Sequence, residues 1–302
     1  MRRVCVIANP ASGRGRGSRI IPHIRSVLAE MGGGDLRITS SQGEEPGLVR
    51  RALDDGFDTL IASGGDGTWS NVANAILNAG AGANVRLGLL AAGTGNDFAK
   101  TVGAPVRDIR ETVRLALEGP DVAIDVGRIE KKYFINLAGF GVDVAVIENL
   151  DNVRWLQGDA LYFYSGLREV FGYPGFELDL KSANSDNIQG RQLILIIANA
   201  KNFGGVFQLA PQASVVDGHL DAVAIRNTPP LRRLRLFLAA ASGGHLDEPE
   251  VQTGRSRQFQ LRFQNPPAYE TDGEYNRAES NELEVTCVPK ALRVVTPVEL
   301  TS

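Results

Sequence analysis

The sequence predicts an α/β N-terminal domain, a parallel sheet with helices on both faces, followed by a C-terminal antiparallel β-rich sandwich domain. Three observations predict it. Up to Gly119-Pro120, short apolar runs alternate with stretches of helical spacing, the pattern of a parallel sheet covered on both sides. Beyond that point the runs are short, regularly spaced and separated by turn residues, the pattern of a sandwich or barrel. Three glycine-rich loops fall at strand ends of the first part, where open parallel sheets bind their ligands. The boundary is placed near Asp121 to Asp125, giving domains 1–124 and 125–290. The pattern leaves open where the final strand, within about 291–302, belongs.

Val4 to Ala8 reads as the first strand, followed by the loop Asn9-Pro10-Ala11-Ser12-Gly13-Arg14-Gly15-Arg16-Gly17. No Gly-Lys-Ser/Thr closes that loop, and it lacks G-x-G-x-x-G, so neither a Walker A loop nor a Rossmann fingerprint is present. Ser18 to Met31 has helical apolar spacing and stops at Gly32-Gly33-Gly34. Leu36 to Thr39 is a second strand and Glu45 to Asp54 a helix. Thr59 to Ala62 is a third strand, followed by Ser63-Gly64-Gly65-Asp66-Gly67-Thr68 and a helix over Trp69 to Asn78. Arg86 to Ala92 is a fourth strand, followed by Gly93-Thr94-Gly95-Asn96-Asp97-Phe98-Ala99, and Arg107 to Leu117 is a helix. In the second part, Val122 to Ile129 and Tyr133 to Phe140 read as a hairpin. Helices follow from Asp143 and over Gly158 to Phe171. Strands are expected at Phe176 to Lys181, Arg191 to Ala200, Gly218 to Arg226, Ser256 to Phe263 and Glu282 to Val288, with a last one at Leu292 to Thr296.

The chain has 302 residues, 43% hydrophobic and 22% charged, with a net charge of −3. That balance speaks against a broad nucleic-acid footprint. Its two cysteines, Cys5 and Cys287, sit in apolar runs and read as free thiols of a reducing cytosol. The first strand begins almost at once, so no signal peptide is visible, and no apolar run reaches the ~20 residues of a membrane span. Three histidines without pairing give no zinc pattern.

The chemistry lies in the loops. Glycines at a strand-to-helix turn let the backbone approach a ligand, and the helix start presents unpaired N–H groups to a phosphate. An aspartate there suits a phosphate only with a cation between them, so Asp66 implies a metal, most simply Mg2+. The second loop repeats the logic with Thr94 and Asp97. Two glycine loops, each with one carboxylate, could flank one nucleotide.

These residues match a known family. Asn9-Pro10-Ala11-Ser12-Gly13, Gly64-Gly65-Asp66-Gly67-Thr68, Gly93 to Ala99, Asp217-Gly218 and Asp272-Gly273-Glu274 together resemble the diacylglycerol-kinase-type lipid kinases, including soluble bacterial diacylglycerol kinases and their sphingosine and ceramide kinase relatives. Gly-Gly-Asp-Gly-Thr alone is shared with NAD kinases. The resemblance runs nearly end to end. It departs at Ser70 and Asn71, where the family usually has Asn and Glu, and at Ala91-Ala92, where it usually has Pro-Leu or Pro-Met.

The resemblance implies an N-terminal ATP-binding domain, a C-terminal lipid-substrate domain, an active site in the cleft between them, and a last strand that returns to the first domain. It implies ATP contacts at Asn9, Pro10, Ala11, Ser12, Gly13, Thr39, Gly65, Asp66, Gly67, Thr68, Trp69, Ser70, Asn71 and Thr94. It puts a structural Mg2+ on Asp217, with Ser214 and His219 giving backbone oxygens. Asp66 and Asp97 match carboxylates that organise the catalytic Mg2+ through water. Glu274 matches the proposed catalytic base, with Asp272 the alternative. The implied activity is transfer of the γ-phosphoryl group of ATP to a lipid hydroxyl, diacylglycerol first, by a cytoplasmic enzyme that meets the membrane from outside. The alternatives are a kinase of another lipid, of a soluble alcohol or of NAD, and a nucleotide-binding regulator that does not catalyse. Leu231-Arg232-Arg233-Leu234-Arg235-Leu236-Phe237-Leu238 is basic and amphipathic and could press on an anionic membrane or cover the sheet. An exposed strand edge could pair two subunits into a homodimer.

Overall fold

The computed structural model describes residues 2–93, 95–150, 171–183, 185–202, 204, 208–240 and 242–300. It contains two compact units. One comprises Met1–Val126, Val215–Gly218 and Val288–Ser302; the other comprises Gly127–Ser214 and His219–Cys287.

The first unit is a parallel sheet. Strands β1 (Val4–Ala8), β2 (Asp35–Ile38), β3 (Thr59–Gly64) and β4 (Arg86–Ala91) lie in the order β2-β1-β3-β4. Their pairings are all parallel. Arg293 and Val294 of the last strand pair in parallel with Arg86 and Leu87 of β4. The chain leaves β1 toward β2 on one side and returns to β3 on the other. The strand order therefore reverses between β1 and β3, the place where such sheets form a ligand crevice.

Five helices connect these strands: α1 (Ser12–Glu30), α2 (Glu45–Asp54), α3 (Asp66–Asn78), α4 (Asp97–Thr101) and α5 (Ile109–Glu118). Strands buried on both faces read as continuous apolar runs, and β1, β3 and β4 are buried at every position. Val4, Val6, Ile61 and Leu90 pack against Ile24, Val27 and Leu28 of α1 and Val113 and Ala116 of α5. The alternate residues Cys5, Ile7, Leu60 and Leu87 are equally buried, and α2 and α3 pack on each other and on β1 and β3. Each fully buried Ile, Leu or Val contributes about 1.5–3 kcal/mol. Burial raises the free Cys5 thiol to about 12, so it stays protonated. Helix α5 starts two residues later than the periodicity suggests. Arg107 is left-handed at φ +67°, and the Asp108 carboxylate caps the helix by accepting from Glu111 N at 2.9 Å.

The second unit is an antiparallel sandwich. After β5 (Asp121–Ile129), which begins in the first unit, come β6 (Lys132–Phe134), β7 (Leu137–Gly141), α6 (Val142–Leu150), β8 (Phe176–Ser182) and β9 (Ile188–Ala198). Then come β10 (Leu220–Arg226), α7 (Pro230–Ala240), β11 (Val251–Ser256), β12 (Gln258–Phe263), β13 (Ala268–Thr271), β14 (Glu274–Arg277) and β15 (Glu282–Val295). The long β9 pairs with β8 through Ile188–Gln192 and with β7 and β10 through Ile194–Ala198, so it serves both layers. Between them lie Phe140, Leu195, Ile197, Leu180, Phe259, Leu261 and Val285.

Four expectations change here. Tyr133 to Phe140 is not one strand: it divides at Ile135-Asn136, whose N–H groups bond to the Asp272 carboxylate rather than to a neighbouring strand. The strand expected over Ser256 to Phe263 is β12 preceded by β11, whose Val251-Gln-Thr-Gly-Arg-Ser lacks clean alternation. The runs Glu282 to Val288 and Leu292 to Thr296 are joined in β15 across Pro289, with Lys290 at φ +52°. Helix α7 is less basic at its surface than its sequence suggests: of its three arginines only Arg235 is exposed. Arg233 is buried and donates to Thr228 O, Tyr173 O and Asn227 Oδ1 at 2.6, 2.8 and 2.6 Å. Arg232 pairs with Glu248 and Glu250, and Arg235 with Glu248. The helix expected over Gly158 to Phe171 lies outside the described residues except for its last residue.

Candidate active site

In the first unit three glycine loops meet at the carboxyl ends of β1, β3 and β4. The loop after β1 turns through Gly13, Arg14 and Gly15, with φ of +56°, +56° and +80°, before α1 becomes regular. A Cβ on Gly13 would lie 1.8 Å from Ala92 O, so only glycine lets this loop close on the one after β4. The loops after β3 and β4 also touch backbone to backbone: a Cβ on Gly93 would lie 2.5 Å from Gly65 Cα. Asn9 ties the first loop together. Its Oδ1 accepts from Ala11 N at 3.0 Å, and its Nδ2 donates to Thr68 Oγ1 at 3.2 Å and Glu45 Oε1 at 3.5 Å. The Ser12 hydroxyl donates to Asn9 O at 2.8 Å. Thr39 is buried at the end of β2, its N–H donating to Ala8 O at 2.9 Å. Arg16 donates to Gly93 O at 2.8 Å, linking the first and third loops rather than standing in solvent.

The start of α3 carries Asp66, Gly67 and Thr68 with Gly65 just before it, so its unpaired N–H groups face the junction of the loops. Trp69 belongs to the core: it is fully buried and its indole N–H donates to Ala62 O at 3.0 Å. Ser70 is buried on the same helix and Asn71 is half-buried. Thr94 lies outside the described residues. Asp66 and Asp97 converge on Gly95. A Cβ there would lie 3.3 Å from Asp66 Oδ2 and 3.5 Å from Asp97 Oδ2. Asp66 Oδ1 accepts from Phe98 N at 3.1 Å, and Lys100 Nζ pairs with Asp97 Oδ1 at 3.0 Å. Burial, with the Asp97 charge beside it, holds the Asp66 carboxyl above its ordinary range despite the Phe98 N–H. Two hard oxygen donors, one of them short of compensating charge, fit a divalent cation such as Mg2+.

Asp217 stands on the turn Val215–Gly218 of the same unit. Next to it is a carboxylate that the sequence pattern places only at the domain boundary. Asp125, 1% exposed, accepts from Gly218 N at 2.6 Å and Lys290 N at 2.8 Å, while its own N–H donates to Val215 O at 2.6 Å. An acid inside the apolar run Ile124-Asp125-Val126 was the available signal. Ser214 and His219 flank this turn in sequence and belong to the second unit. Among the described residues no group of three or more His, Cys, Asp or Glu side chains forms a metal site. Any cation at Asp217 would therefore need backbone oxygens or water.

In the second unit the hairpin β13-β14 carries Asp272-Gly273-Glu274. The turn needs left-handed backbone, with φ +51° at Asp272 and +87° at Gly273. Aspartate and glycine tolerate that conformation. The two acids have different surroundings. Asp272 is buried: its Oδ2 accepts from Ile135 N at 2.9 Å and its Oδ1 from Asn136 N at 2.8 Å and Leu137 N at 3.1 Å. Its lone pairs fasten the hairpin to the start of β7. Glu274 is half-buried, and no hydrogen bond or ion pair within the described residues takes up its carboxylate. Of the pair, Glu274 is the one free to accept a proton. A cavity of about 320 Å³ in this unit lies among Phe140, Phe176, Phe263, Tyr173, Pro266 and Pro267.

Comparison with known proteins matches both parts of the chain to family models. The family model for the diacylglycerol kinase catalytic domain matches residues 3–129. The model for the YegS C-terminal NAD kinase beta sandwich-like domain matches residues 136–296. A Klebsiella pneumoniae protein named probable lipid kinase YegS-like is 31% identical over 265 residues, 87% of this chain and 86% of its own. A diacylglycerol kinase of Mycobacterium tuberculosis is 27% identical over 301 residues, covering 98% of this chain and 95% of that one. The crystal structure of a diacylglycerol kinase from Bacillus anthracis shares the fold, with a TM-score of 0.72 at 19% identity and coverage of 98% and 97%. This chain, with both domain models matched in order along its length, belongs to the diacylglycerol-kinase-type lipid kinase family.

Proposed function

We propose that this protein transfers the γ-phosphoryl group of ATP, with Mg2+, to a lipid hydroxyl, most simply that of diacylglycerol. The observation that carries the reading is the convergence of Asp66 and Asp97 on Gly95, at a junction of three loops that Gly13 and Gly93 let close because neither position has room for a Cβ. Phosphoryl transfer is mainly positioning plus neutralisation of charge. The backbone of Asn9, Pro10, Ala11, Ser12 and Gly13, the Thr39 end of β2 and the N–H groups from Gly65 to Asn71 would hold the phosphates and the nucleoside, with Thr94 adding a hydroxyl. Asp66 and Asp97 would hold Mg2+, directly or through water. When bound, that ion supplies the positive charge that the phosphate oxygens require. Asp217 and Asp125 would stabilise a second, structural cation.

Glu274 takes the proton of the acceptor hydroxyl as its oxygen forms the new bond to the γ-phosphorus. The bond from that phosphorus to the β–γ bridging oxygen breaks, and ADP leaves. General-base assistance of this kind is typically worth 10²–10⁴-fold. The aromatic-walled cavity of the second unit supports an acceptor with an apolar part. No helix among the described residues is long and apolar enough to cross a membrane, so the lipid would be met at the membrane surface.

The test is ATP- and Mg2+-dependent phosphate transfer to mixed micelles of diacylglycerol, phosphatidylglycerol, ceramide, sphingosine and undecaprenol, with NAD as a soluble control. Transfer to one lipid names the acceptor. Transfer to NAD alone, or to nothing while ATP still binds, rejects the reading.

A further inference from the structure

A second carboxylate pair lies behind the Glu274 turn. Glu270 of β13 is fully buried. One of its oxygens, Oε2, accepts from Gly273 N at 2.5 Å, the residue next to Glu274. The other, Oε1, points at Gly139 of β7, and so does Asp143 Oδ2 from the first turn of α6. A Cβ on Gly139 would lie 3.0 Å from the first and 1.9 Å from the second. Both Asp143 oxygens and Glu270 Oε1 are buried without a hydrogen-bond partner of good geometry. No lysine or arginine among the described residues forms an ion pair with either acid. The other titratable groups around them are Asp272 on the turn, Tyr173 and Glu148 near Asp143, and, on β14, Tyr275 paired with Glu270 and its neighbours Glu274 and Arg277. Two buried like charges aimed at one point, with backbone N–H groups but no cation among the described residues to offset them, are strongly unfavourable. A single proton between them removes the repulsion and supplies the missing donor.

Resting on the reading of Glu274 as base, we infer that Asp143 and Glu270 share one proton across Gly139, and that this proton keeps Glu270 bonded to Gly273 and so positions Glu274. Glu270 is thus a positioning residue that touches no substrate. Its own carboxyl is pushed well up, by burial first and the Asp143 charge second. Burial lifts Asp143 to about 7 against the pull of the N–H groups at the start of α6. When folded-state values are raised, the stabilisation is complete below the unfolded values near ~4. It is lost as pH rises through the folded ones. In the Glu270→Gln variant the amide oxygen can still accept from Gly273 N and the NH2 can donate to Asp143, which imitates the protonated pair.

The test compares wild type, Glu270→Gln and Asp143→Asn between pH 5 and 8.5, reading Tm and, with whichever lipid acceptor the micelle panel identifies, kcat/KM. The wild-type Tm should fall with rising pH relative to both variants, and the alkaline fall in kcat/KM should move up by at least one pH unit in Glu270→Gln. Parallel Tm curves would overturn the shared proton, whether or not any acceptor is phosphorylated. Divergent Tm curves with an unmoved rate profile would overturn the positioning role. Absence of turnover on every acceptor would count against the proposed function, while the Tm curves still decide on the proton.

Discussion

Replacing Asp272 by Asn separates fastening from catalysis. The carboxylate holds three backbone donors at 2.8–3.1 Å from a site 7% exposed. Asparagine tolerates the left-handed backbone at φ +51° equally well, so strain is not the cause of any loss. With its oxygen at the Oδ1 position it still accepts from Asn136 and Leu137, but as a neutral acceptor. Its NH2 then faces the Ile135 N–H, which is left without a partner. Hydrogen bonds to charged groups contribute about 1.5–3 kcal/mol and a buried orphan donor costs about 1–3 kcal/mol, so Asp272→Asn should destabilise the second unit by about 2–4 kcal/mol. For a unit of this size that is a fall of roughly 5–12 °C in Tm. The assay is thermal or urea unfolding followed alongside turnover, with Glu274→Gln as the control. Glu274, with no partner to lose among the described residues, should leave Tm within about 1 °C while turnover collapses. If Asp272→Asn keeps the wild-type Tm and loses all turnover, the fastening argument is wrong and Asp272 is the base.

Gly93→Ala should cost about 1–3 kcal/mol by overpacking against Gly65 and abolish nucleotide binding measured by calorimetry, because the loops could no longer close. Asp66→Asn should raise the Tm of the metal-free protein by removing a buried charge and its repulsion with Asp97, yet remove the extra stabilisation that Mg2+ confers together with ATP; an unchanged Mg2+ response would reject the metal role. Arg233→Gln should lower stability by about 2–4 kcal/mol, since the arginine is buried on three acceptors. On the same helix Leu231 and Leu238 are 80% and 64% exposed, so Leu231→Ser with Leu238→Ser should weaken sedimentation with lipid vesicles more than Arg235→Gln does.

The first unit was legible in the sequence because its signals are local. Each glycine loop follows an uninterrupted apolar strand and opens a helix, and the carboxylates sit inside the loops themselves. The second half was legible as strands and turns but less so in its breaks. The division at Ile135-Asn136 is made by the side chain of Asp272, far along the chain, and no window around residue 135 contains it. Pro289 reads as the end of a strand. The structure instead bends through Lys290, whose N–H is taken by Asp125. The roles of Arg232 and Arg233 depended on partners at 248, 250, 173 and 227 that periodicity cannot supply. Glu270 and Asp143 had one visible signal each, an acid inside an apolar or aromatic stretch, but their meeting over Gly139 is tertiary.

The most direct measurement is phosphate transfer from Mg2+-ATP to diacylglycerol in mixed micelles by wild type and Glu274→Gln side by side, with ATP affinity measured for both. The account predicts transfer by the wild type, a fall of roughly two to four decades in the variant, and equal ATP binding. Equal turnover by the two proteins, or none by the wild type on any lipid, would contradict it.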